Sequence, residues 1–595
     1  MKAKSLFVAL SQIMIVSILL GACAPQAVLP TATIPPAPTA LSFPSSTPPA
    51  TDTQAPTAAP TTAAATAAAT TGAATAAPTT APTTAPTQVP ATGPVKGGTL
   101  TIVDNVDYAT MDPFNLTWTN PAYGLMYDFL VVYKPDYSGF APNLADSWEF
   151  APDNLSVTFH LHPGVMFQDG TPLDAAAVKW NLDRETDAKI AAPASSVLNG
   201  LVTSVTTPDT ATVVLKLSQP SAILLDTISG IGMVSPTDFN KVGAANYGQS
   251  PVGTGPFSIK DQVANDHRTL TRNPTYAWPA QWFDNKGPAY PDTVIVKQLT
   301  DDATMYSALQ TGQVQVAPIP TQFLAQARTD PNLGVVQGIE NGIQYIGFNN
   351  QMDPFTDQNV RVAIGYAINR DEIIKVGWNG EADPIYGPLS PAQFGYSQNA
   401  ETVARQQSYN TATAKTMLAT AGWVPGSDGI LAKAGKKMEF RFLFVPDDPS
   451  KRVAETIQSQ LADVGIKLDL VPEAVAALKD ETLKGTVQMF LLYITLADPR
   501  SMCFQFCSVN INGTDRTRYK NDALDKALAA MDTELNPDKR KALVDAAEML
   551  IIQQRPEIPL AVKHLFYGYR KDQLGGMKFD VLSNPQYQDA YLLKP

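Results

Sequence analysis

The sequence predicts an α/β protein with mixed sheets and more than one lobe. From Gly97 onward the chain has the composition of a folded protein, with most of its aromatic residues and nearly all of its charge. About 500 residues are too many for one hydrophobic core, so two or three lobes are expected. Strand-like and helix-like patterns alternate irregularly along this region without an internal repeat. This alternation favours mixed sheets over an all-helical or all-strand fold.

Three segments of the folded region carry strand patterns. Residues 155–161 and 211–217 alternate apolar and polar side chains, which indicates strands with one buried face. Residues 98–103 form a short apolar run, which indicates a buried strand. This run ends at Asp104 and Asn105, so two polar side chains follow the first strand directly.

The second half of the chain contains two helical stripes. Apolar residues at positions 453, 457, 461 and 464 share one helix face, and Gly465 ends that helix. An alternating strand at residues 466–470 follows at once. Another stripe, at positions 543, 546, 547, 550 and 551, is ended by Pro556. Asp357 lies where an N-cap would precede a further helix that contains Val360.

The N-terminus has the pattern of a secretory signal peptide, assigned to residues 1–22. Two lysines precede an apolar stretch from Leu6 to Leu20, which is too short and too close to the N-terminus for a good spanning helix. The segment from Leu20 to Cys23 resembles the bacterial lipobox. That resemblance implies that Cys23 becomes the lipid-modified first residue of the mature protein; the alternative is an ordinary signal with an incidental cysteine.

Residues 23–96 are predicted to be a disordered linker behind the lipid anchor. They consist almost wholly of Ala, Thr and Pro, and Asp52 is the only charged residue from Ala24 to Val95. Such a segment cannot bury enough apolar surface to offset the entropy of the chain. About 70 residues in polyproline form reach on the order of 200 Å, which suits a stalk that holds a folded part away from a membrane.

Composition and motifs exclude several classes of function. The net charge of −12 argues against nucleic acid as a ligand. Nucleophile and metalloprotease motifs are missing from the sequence, so an enzyme is not expected, and no cofactor is implied. His160 and His162 share one strand face, but no third ligand is evident, so we predict no metal site.

Many ordered motifs resemble the family 5 extracellular solute-binding proteins, which are the oligopeptide, dipeptide and nickel binding components of ABC importers. The similarity covers roughly Gly97 to Pro595 and includes the turn Asp169-Gly170-Thr171-Pro172. The motifs lie at residues 140–149, 157–161, 164–173, 177–180, 251–257, 272–274, 308–312, 347–350, 354–355, 360–363, 367–370, 464–466 and 498–499.

The resemblance implies a fold like that of the type II periplasmic binding proteins, with two large lobes, a smaller third lobe and a hinged cleft. Lobe I would comprise residues 97–128, 232–344 and 562–595, the small lobe residues 129–231, and lobe II residues 345–561. The lobes would close over a solute and present it to ABC permease subunits. The protein would be a monomer outside the cytoplasm, either periplasmic or on the cell surface, and held to the membrane by its lipid.

Clefts of this family combine aromatic walls with a few polar anchors. The candidate ligand-binding residues are Asp104, Asn105, Trp118, Tyr123, Trp378, Tyr386, Tyr493, Thr495 and Asp498. Peptide-binding members place an aspartate for the peptide's α-amino group where this chain has Thr495, and Thr brings no charge to offset a buried ammonium. The class of solute therefore stays open: it is a peptide, an oligosaccharide, an opine-like compound or another small polar solute.

Two further questions stay open at the level of sequence. Cys503 and Cys507 are four residues apart, within reach of a disulfide on one turn or a tight loop, and the alternative is two unpaired thiols. The same fold could also serve a signalling or chaperone-like binding lipoprotein that has no dedicated permease.

Overall fold

The computed structural model describes residues 93–105, 110–115, 122–187 and 194–594, all within one compact unit, Thr87–Pro595. The signal peptide, Cys23 and most of the linker lie outside the described residues. So does Trp118.

Twelve strands of the described region form one sheet. Ten of them follow in the spatial order Lys467–Pro472, Glu439–Phe444, Met489–Thr495, Gly342–Phe348, Glu557–Arg570, Val316–Pro318, Thr99–Asp104, Thr293–Gln298, His267–Arg272 and Phe257–Val263. Leu333–Ile339 and Ala382–Pro384 pair with the long strand Glu557–Arg570 beside this path. Parallel and antiparallel pairs both occur, so the predicted mixed sheet is confirmed.

The strand Glu557–Arg570 is shared by the two halves of this sheet. Its first part is antiparallel to Gly342–Phe348, and its last part is antiparallel to Val316–Pro318 and Leu333–Ile339. The chain also passes between the halves through Glu340 and Asn341, which join two neighbouring strands. We call these two passages, residues 340–341 and 561–564, the hinge segments.

A hydrophobic core packs against the half of the sheet that contains Thr99–Asp104. Its side chains come from residues 100–316 and from a C-terminal group, residues 574–592. We call this half, with its core, the first lobe. Its helices are Tyr123–Met126, Pro236–Val242, Ala244–Tyr247, Asp302–Thr311 and Leu324–Thr329, with 3-10 turns at Pro113–Asn115 and Thr321–Phe323. Two short C-terminal pairings join Leu574–Gly575 to Tyr591–Leu592 and Lys578–Phe579 to Pro585–Gln586.

A separate four-stranded antiparallel sheet marks the small lobe. Its order is Ala145–Phe150, Ser156–Leu161, Thr212–Leu217 and Val202–Asp209. Its core extends from Leu130 to Met233 and includes Tyr276 and Trp278 from the first-lobe part of the chain. Beside it lie the strand pair Val131–Tyr133 and Phe140–Pro142 and the helices Ala175–Glu185, Ser195–Leu198 and Leu224–Ser229.

The second lobe surrounds the other half of the large sheet, with a core of side chains from Ile346 to Ala561. Its helices are Gln358–Ala367, Arg370–Trp378, Gln398–Arg405, Thr411–Thr420, Asp448–Ala462, Val475–Lys484, Ser501–Phe506, Asp522–Thr533 and Pro537–Gln554, with a 3-10 turn at Ser508–Asn510. A small sheet of Val424–Pro425, Leu431–Lys433 and Lys436–Lys437 lies at its edge. The lobe boundaries given in the sequence analysis stay a prediction.

The local patterns in the sequence predict these elements well. Residues 98–103, 155–161 and 211–217 are strands within one residue of the expected limits. The Asp357 carboxylate accepts the N–H of Asn359 and caps its helix. The helix Asp448–Ala462 ends three residues before Gly465, so Val464 lies in the turn that follows the helix, and Gly465, with φ of +81°, completes that turn.

Candidate functional site

The carboxyl end of the strand Thr99–Asp104 points toward the hinge segments. Its neighbour Val316–Pro318 pairs with residues 567–569 of the long strand, and Lys563 lies only a few residues further along. Asp104 is 3% exposed, whereas Asn105 is exposed. In open α/β sheets ligands bind beyond the carboxyl ends of strands, so this position suits a binding wall.

Next to this strand end lies a cavity of about 370 Å³ with aromatic walls. The aromatic lining consists of Tyr123, Tyr127, Phe129, Tyr276, Trp282, Phe283, Tyr567 and Tyr587. Burial raises the pKa of Tyr587 well above its ordinary value, and the charge of Asp104 adds to that effect. Tyr587 therefore lies close to Asp104, which places the cavity beside the predicted binding wall of the first lobe.

Tyr123 presents its ring to this cavity, while its hydroxyl group is engaged by the backbone. The hydroxyl donates to the carbonyl of Gly230 and accepts the N–H of Gly232, each at 3.0 Å. Burial raises the pKa of Tyr123 above its ordinary value. Tyr123 can therefore offer apolar ring surface to a solute, and its hydroxyl group fixes the ring.

The cavity lining also includes a buried carboxylate, Asp128, which fixes the wall residue Tyr276 and the adjacent Trp278. Asp128 accepts the hydroxyl of Tyr276 at 2.9 Å and the indole N–H of Trp278 at 3.1 Å. Burial raises the pKa of Asp128 to about 6, and the hydrogen bonds from these side chains and Thr254 oppose the rise. Asp128 thus orients the cavity wall, and its oxygen atoms are committed to protein donors.

The second lobe contributes the end of the strand Met489–Thr495. Thr495 lies opposite Gly342, the first residue after the hinge segment 340–341, and its side chain is exposed. Tyr493, on the same strand, has the Lys563 ammonium 4.1 Å from its ring centroid. Lys563 in turn lies 3.2 Å from a Glu340 carboxylate oxygen, so both hinge segments contribute a charged group beside this strand.

The electrostatics of this pair favour a neutral tyrosine beside a charged lysine. Burial raises the pKa of Tyr493 to about 12, and the Lys563 charge works against the rise. The net pKa shift of Lys563 is upward, although burial opposes it, because Tyr493 and Glu340 favour the ammonium. The Asp447 carboxylate acts on both groups in the same direction as Glu340, so Lys563 is the cation of this cluster. Thr495, two residues after Tyr493, is uncharged.

Asp498 forms an internal ion pair. Its two carboxylate oxygens each lie 2.8 Å from a nitrogen of the Arg540 guanidinium, and both side chains are buried. The N–H of Arg500 also donates to Asp498 Oδ1 at 2.9 Å. Asp498 therefore holds the turn after Thr495 in place, and binding a solute through it would require this pair to separate.

The aromatic candidates Trp378 and Tyr386 pack within the second lobe. Trp378 is 3% exposed and belongs to the main core of that lobe. The half-buried Tyr386 ring has the guanidinium carbon of Arg370 4.1 Å from its centroid and that of Arg405 5.0 Å away. Both side chains are therefore held by packing contacts inside the second lobe.

Cys503 and Cys507 are joined by a disulfide, with their Cα atoms 4.6 Å apart. Both are buried in a core formed mainly by the helices Asp522–Thr533 and Pro537–Gln554. The bond closes the short helix Ser501–Phe506 directly after the Asp498 turn. The disulfide therefore stabilises the segment that follows the strand end at Thr495.

Several site residues could not be identified from the sequence. Trp282 is far in sequence from Tyr567 and Tyr587, which lie near the C-terminus, and none of the three stands in a distinctive local pattern. Lys563 and Glu340 are likewise far apart in sequence. Three candidates from the sequence, Asp104, Tyr123 and Thr495, lie at or beside the walls described above.

In the described ranges, groups of three or more metal-ligating His, Cys, Asp or Glu side chains are absent. Over the same residues, every helix is too short or too polar to cross a bilayer.

A profile of the bacterial extracellular solute-binding proteins, family 5, matches residues 139–512. The chain belongs to this family. Its members are the extracytoplasmic substrate-binding proteins of ABC importers, and the chain is a solute-binding component of that kind.

Relatives in sequence and structure agree with this assignment. The glutathione-binding protein GsiB of Salmonella paratyphi A is 29% identical over 446 residues, which cover 73% of this chain and 82% of the relative. A putative ABC transporter peptide-binding protein of Brucella ovis is 29% identical over 434 residues, covering 70% and 77%. Both alignments span most of each protein, so the similarity includes more than one lobe.

Solved structures show the same fold. The periplasmic binding protein DppA of Helicobacter pylori, in complex with the peptide STSA, superposes with a TM-score of 0.71 at 24% identity and covers 84% of this chain and 99% of its own. NikZ of Campylobacter jejuni, in complex with Ni(L-His), gives a TM-score of 0.70 at 22% identity and covers 82% and 97%. AgaA of A. tumefaciens R10, in complex with agropinic acid, gives 0.68 at 24% identity and covers 83% and 99%. The predicted family and fold class are thus confirmed.

Proposed function

We propose that this family 5 protein captures a small peptide-like or other polar solute between the aromatic cavity of its first lobe and the strand end at Thr495, and delivers it to an ABC permease. Support comes from the position of both walls beside the hinge segments, where closing would bring them together. Aromatic walls with few polar anchors suit a small organic solute.

The exposed, uncharged Thr495 carries the proposal about the class of solute. An ammonium group buried against Thr495 would find no counter-charge on that side chain, and the carboxylates of Glu340 and Asp498 are already paired with Lys563 and Arg540. We therefore expect the wall to accept a solute whose facing end is neutral. Proteins similar to this one bind glutathione, a peptide and agropinic acid, which supports a small polar solute as the general class.

The test compares one tripeptide with a free or an acetylated amino end, together with glutathione, an opine and a trisaccharide, by titration calorimetry. We expect the wild-type protein to bind the acetylated form at least as tightly as the free form. The variant Thr495→Asp should prefer the free amine by about tenfold or more, because a charge-assisted hydrogen bond contributes roughly 1.5–3 kcal/mol. Thr495→Asn is the matched neutral control and should show no such preference.

A wild-type protein that binds free-amino tripeptides tightly and rejects their acetylated forms would refute this assignment. Binding of the trisaccharide alone would also refute a peptide-like solute, while leaving the solute-binding role intact. Mass spectrometry of the released ligand checks a further part of the proposal: the solute should leave chemically unchanged, because we propose that binding involves no covalent chemistry.

We further propose that residues 1–22 are removed and that Cys23 carries the lipid that holds a monomeric protein to the membrane. The pattern of the N-terminal sequence supports this. Metabolic labelling with a palmitate analogue should label the wild-type chain and leave Cys23→Ala unlabelled. Unlabelled wild-type protein would exclude the lipid anchor.

A further inference from the structure

The small lobe touches the second lobe at a point remote from the hinge segments in sequence. The N–H of Ala222, just before the helix Leu224–Ser229, donates to the carbonyl of Asp532 at 2.8 Å. Asp532 belongs to the second-lobe helix Asp522–Thr533. The two lobes are therefore in direct hydrogen-bonding contact.

Charged side chains gather around this contact from both lobes. From the small lobe comes Asp226, whose Oδ1 accepts the hydroxyl of Tyr133 at 2.5 Å. From the second lobe come the ion pair of Asp498 with Arg540, and Arg500, whose Nε lies 4.0 Å from Asp532 Oδ2. Asp498 follows the Thr495 wall directly, so the contact adjoins the proposed binding site.

The charges at this contact do not balance when every group is ionised. The three carboxylates of Asp226, Asp498 and Asp532 face the two guanidinium groups of Arg500 and Arg540. Tyr133 and Tyr137 are the other titratable groups near Asp226, and both are neutral at physiological pH because burial raises their pKa values. One negative charge is thus left in excess where the lobes meet.

We propose that Asp226, Asp532 and the Asp498–Arg540 pair form a proton-dependent latch between the small lobe and the second lobe. Uptake of a proton removes the excess negative charge and strengthens the contact beside the cleft. Loss of that proton loosens the contact.

The direction of the effect follows from the surroundings of the two carboxyl groups. Burial, then the charge of Asp498, raises the pKa of Asp226 to about 6. Burial also raises the pKa of Asp532 to about 6, although Arg500 opposes the rise. Both values exceed the ordinary 3.8 that a separated, solvated carboxyl would approach. The latch is therefore strongest below that ordinary value and weakens as the pH rises through about 6.

The size of the effect can be stated for each carboxyl. For a group whose pKa falls from about 6 in contact to about 4 when separated, the equilibrium for contact is up to roughly tenfold more favourable at pH 5 than at pH 7.5. The measured quantity is a ratio of latched to unlatched molecules, which does not require a known solute.

Hydrogen exchange at the Ala222 amide tests the latch directly, because its acceptor lies on the other lobe. The full chain is compared at pH 5.0 and pH 7.5 by mass spectrometry, with each rate divided by the intrinsic rate at that pH. We expect Ala222 protection to be up to about tenfold greater at pH 5.0. The Val213 amide, in the small-lobe sheet, reports whether the lobe itself stays folded.

Three variants complete the test. Asp226→Asn and Asp532→Asn should each raise Ala222 protection at pH 7.5 and reduce its pH dependence, and the double variant should abolish that dependence. Asp183→Asn, an exposed position on the small-lobe helix Ala175–Glu185, should behave like wild type. Equal protection at the two pH values in the wild-type protein would overturn the proposal. So would an unchanged pH dependence in the double variant while Val213 stays protected.

Discussion

The buried carboxyl group of Glu548 makes a sharp prediction about stability and pH. Its side chain is 1% exposed and accepts the N–H of Ser397 at 3.1 Å. Burial raises its pKa from 4.5 to about 9, with the charges of Asp545 and Glu401 adding to the rise. The folded protein therefore holds this carboxyl group neutral at physiological pH, whereas the unfolded chain ionises it.

The sign of the effect on stability follows from this raised pKa. The contribution of Glu548 is fully present below pH 4.5 and is lost as the pH rises toward about 9. Each pH unit in that window costs about 1.4 kcal/mol, so the protein should lose up to about 4 kcal/mol from this group between pH 5 and pH 8. Glu548→Gln keeps a carbonyl acceptor for Ser397 and cannot ionise, so it should remove that loss.

Urea unfolding followed by tryptophan fluorescence at pH 5 and pH 8 measures the difference. We expect Glu548→Gln to be markedly more stable than wild type at pH 8 and close to it at pH 5. The matched control is Glu455→Gln, at an exposed position of the helix Asp448–Ala462, which should follow wild type at both pH values. If Glu548→Gln and wild type lose the same free energy of unfolding between pH 5 and pH 8, the reasoning about this carboxyl group is wrong.

Three further predictions concern the walls and their support. Arg540→Met should destabilise the second lobe by about 3–5 kcal/mol, because it leaves the buried Asp498 charge uncompensated. In a double-mutant unfolding cycle, the variant that also carries Asp498→Leu should recover part of this loss of stability. Gly253→Ala should lower the free energy of unfolding by about 1–3 kcal/mol, because an added Cβ would lie 2.2 Å from the Met126 carbonyl oxygen. In the same thermal unfolding assay the control Gly124→Ala, where nothing lies within 4 Å of the added Cβ, should be neutral or stabilising. Trp282→Ala should weaken solute binding about five- to tenfold by calorimetry through loss of an aromatic wall, and unchanged affinity would remove the cavity from the binding site.

Local patterns gave the elements of this fold reliably, because caps and alternation act over a few residues. Asp357 and Gly465 illustrate this, since each needs only its own helix to define its role. The family motifs added the fold class. Both kinds of information are carried by neighbouring residues.

The partners of the candidate site residues were much harder to infer. Asp498 was a candidate ligand-binding residue, yet its carboxylate is paired with Arg540, 42 residues later in the chain. The local sequence around Trp378 does not show whether its side chain belongs to a core or to a binding wall. Its place in the second-lobe core becomes evident only from the tertiary packing. Tyr567 and Tyr587 join the cavity only when the C-terminal strands return to the first lobe. Such pairings depend on the tertiary fold, which one sequence does not reveal.

The long strand Glu557–Arg570 has a consequence for how the protein is made. It completes the sheets of both large lobes, and residues 574–592 then supply part of the first-lobe core. Because both large lobes need residues from this part of the chain, neither can finish folding before residues 557–592 have been synthesised. Loss of the last forty or so residues should therefore affect both large lobes together.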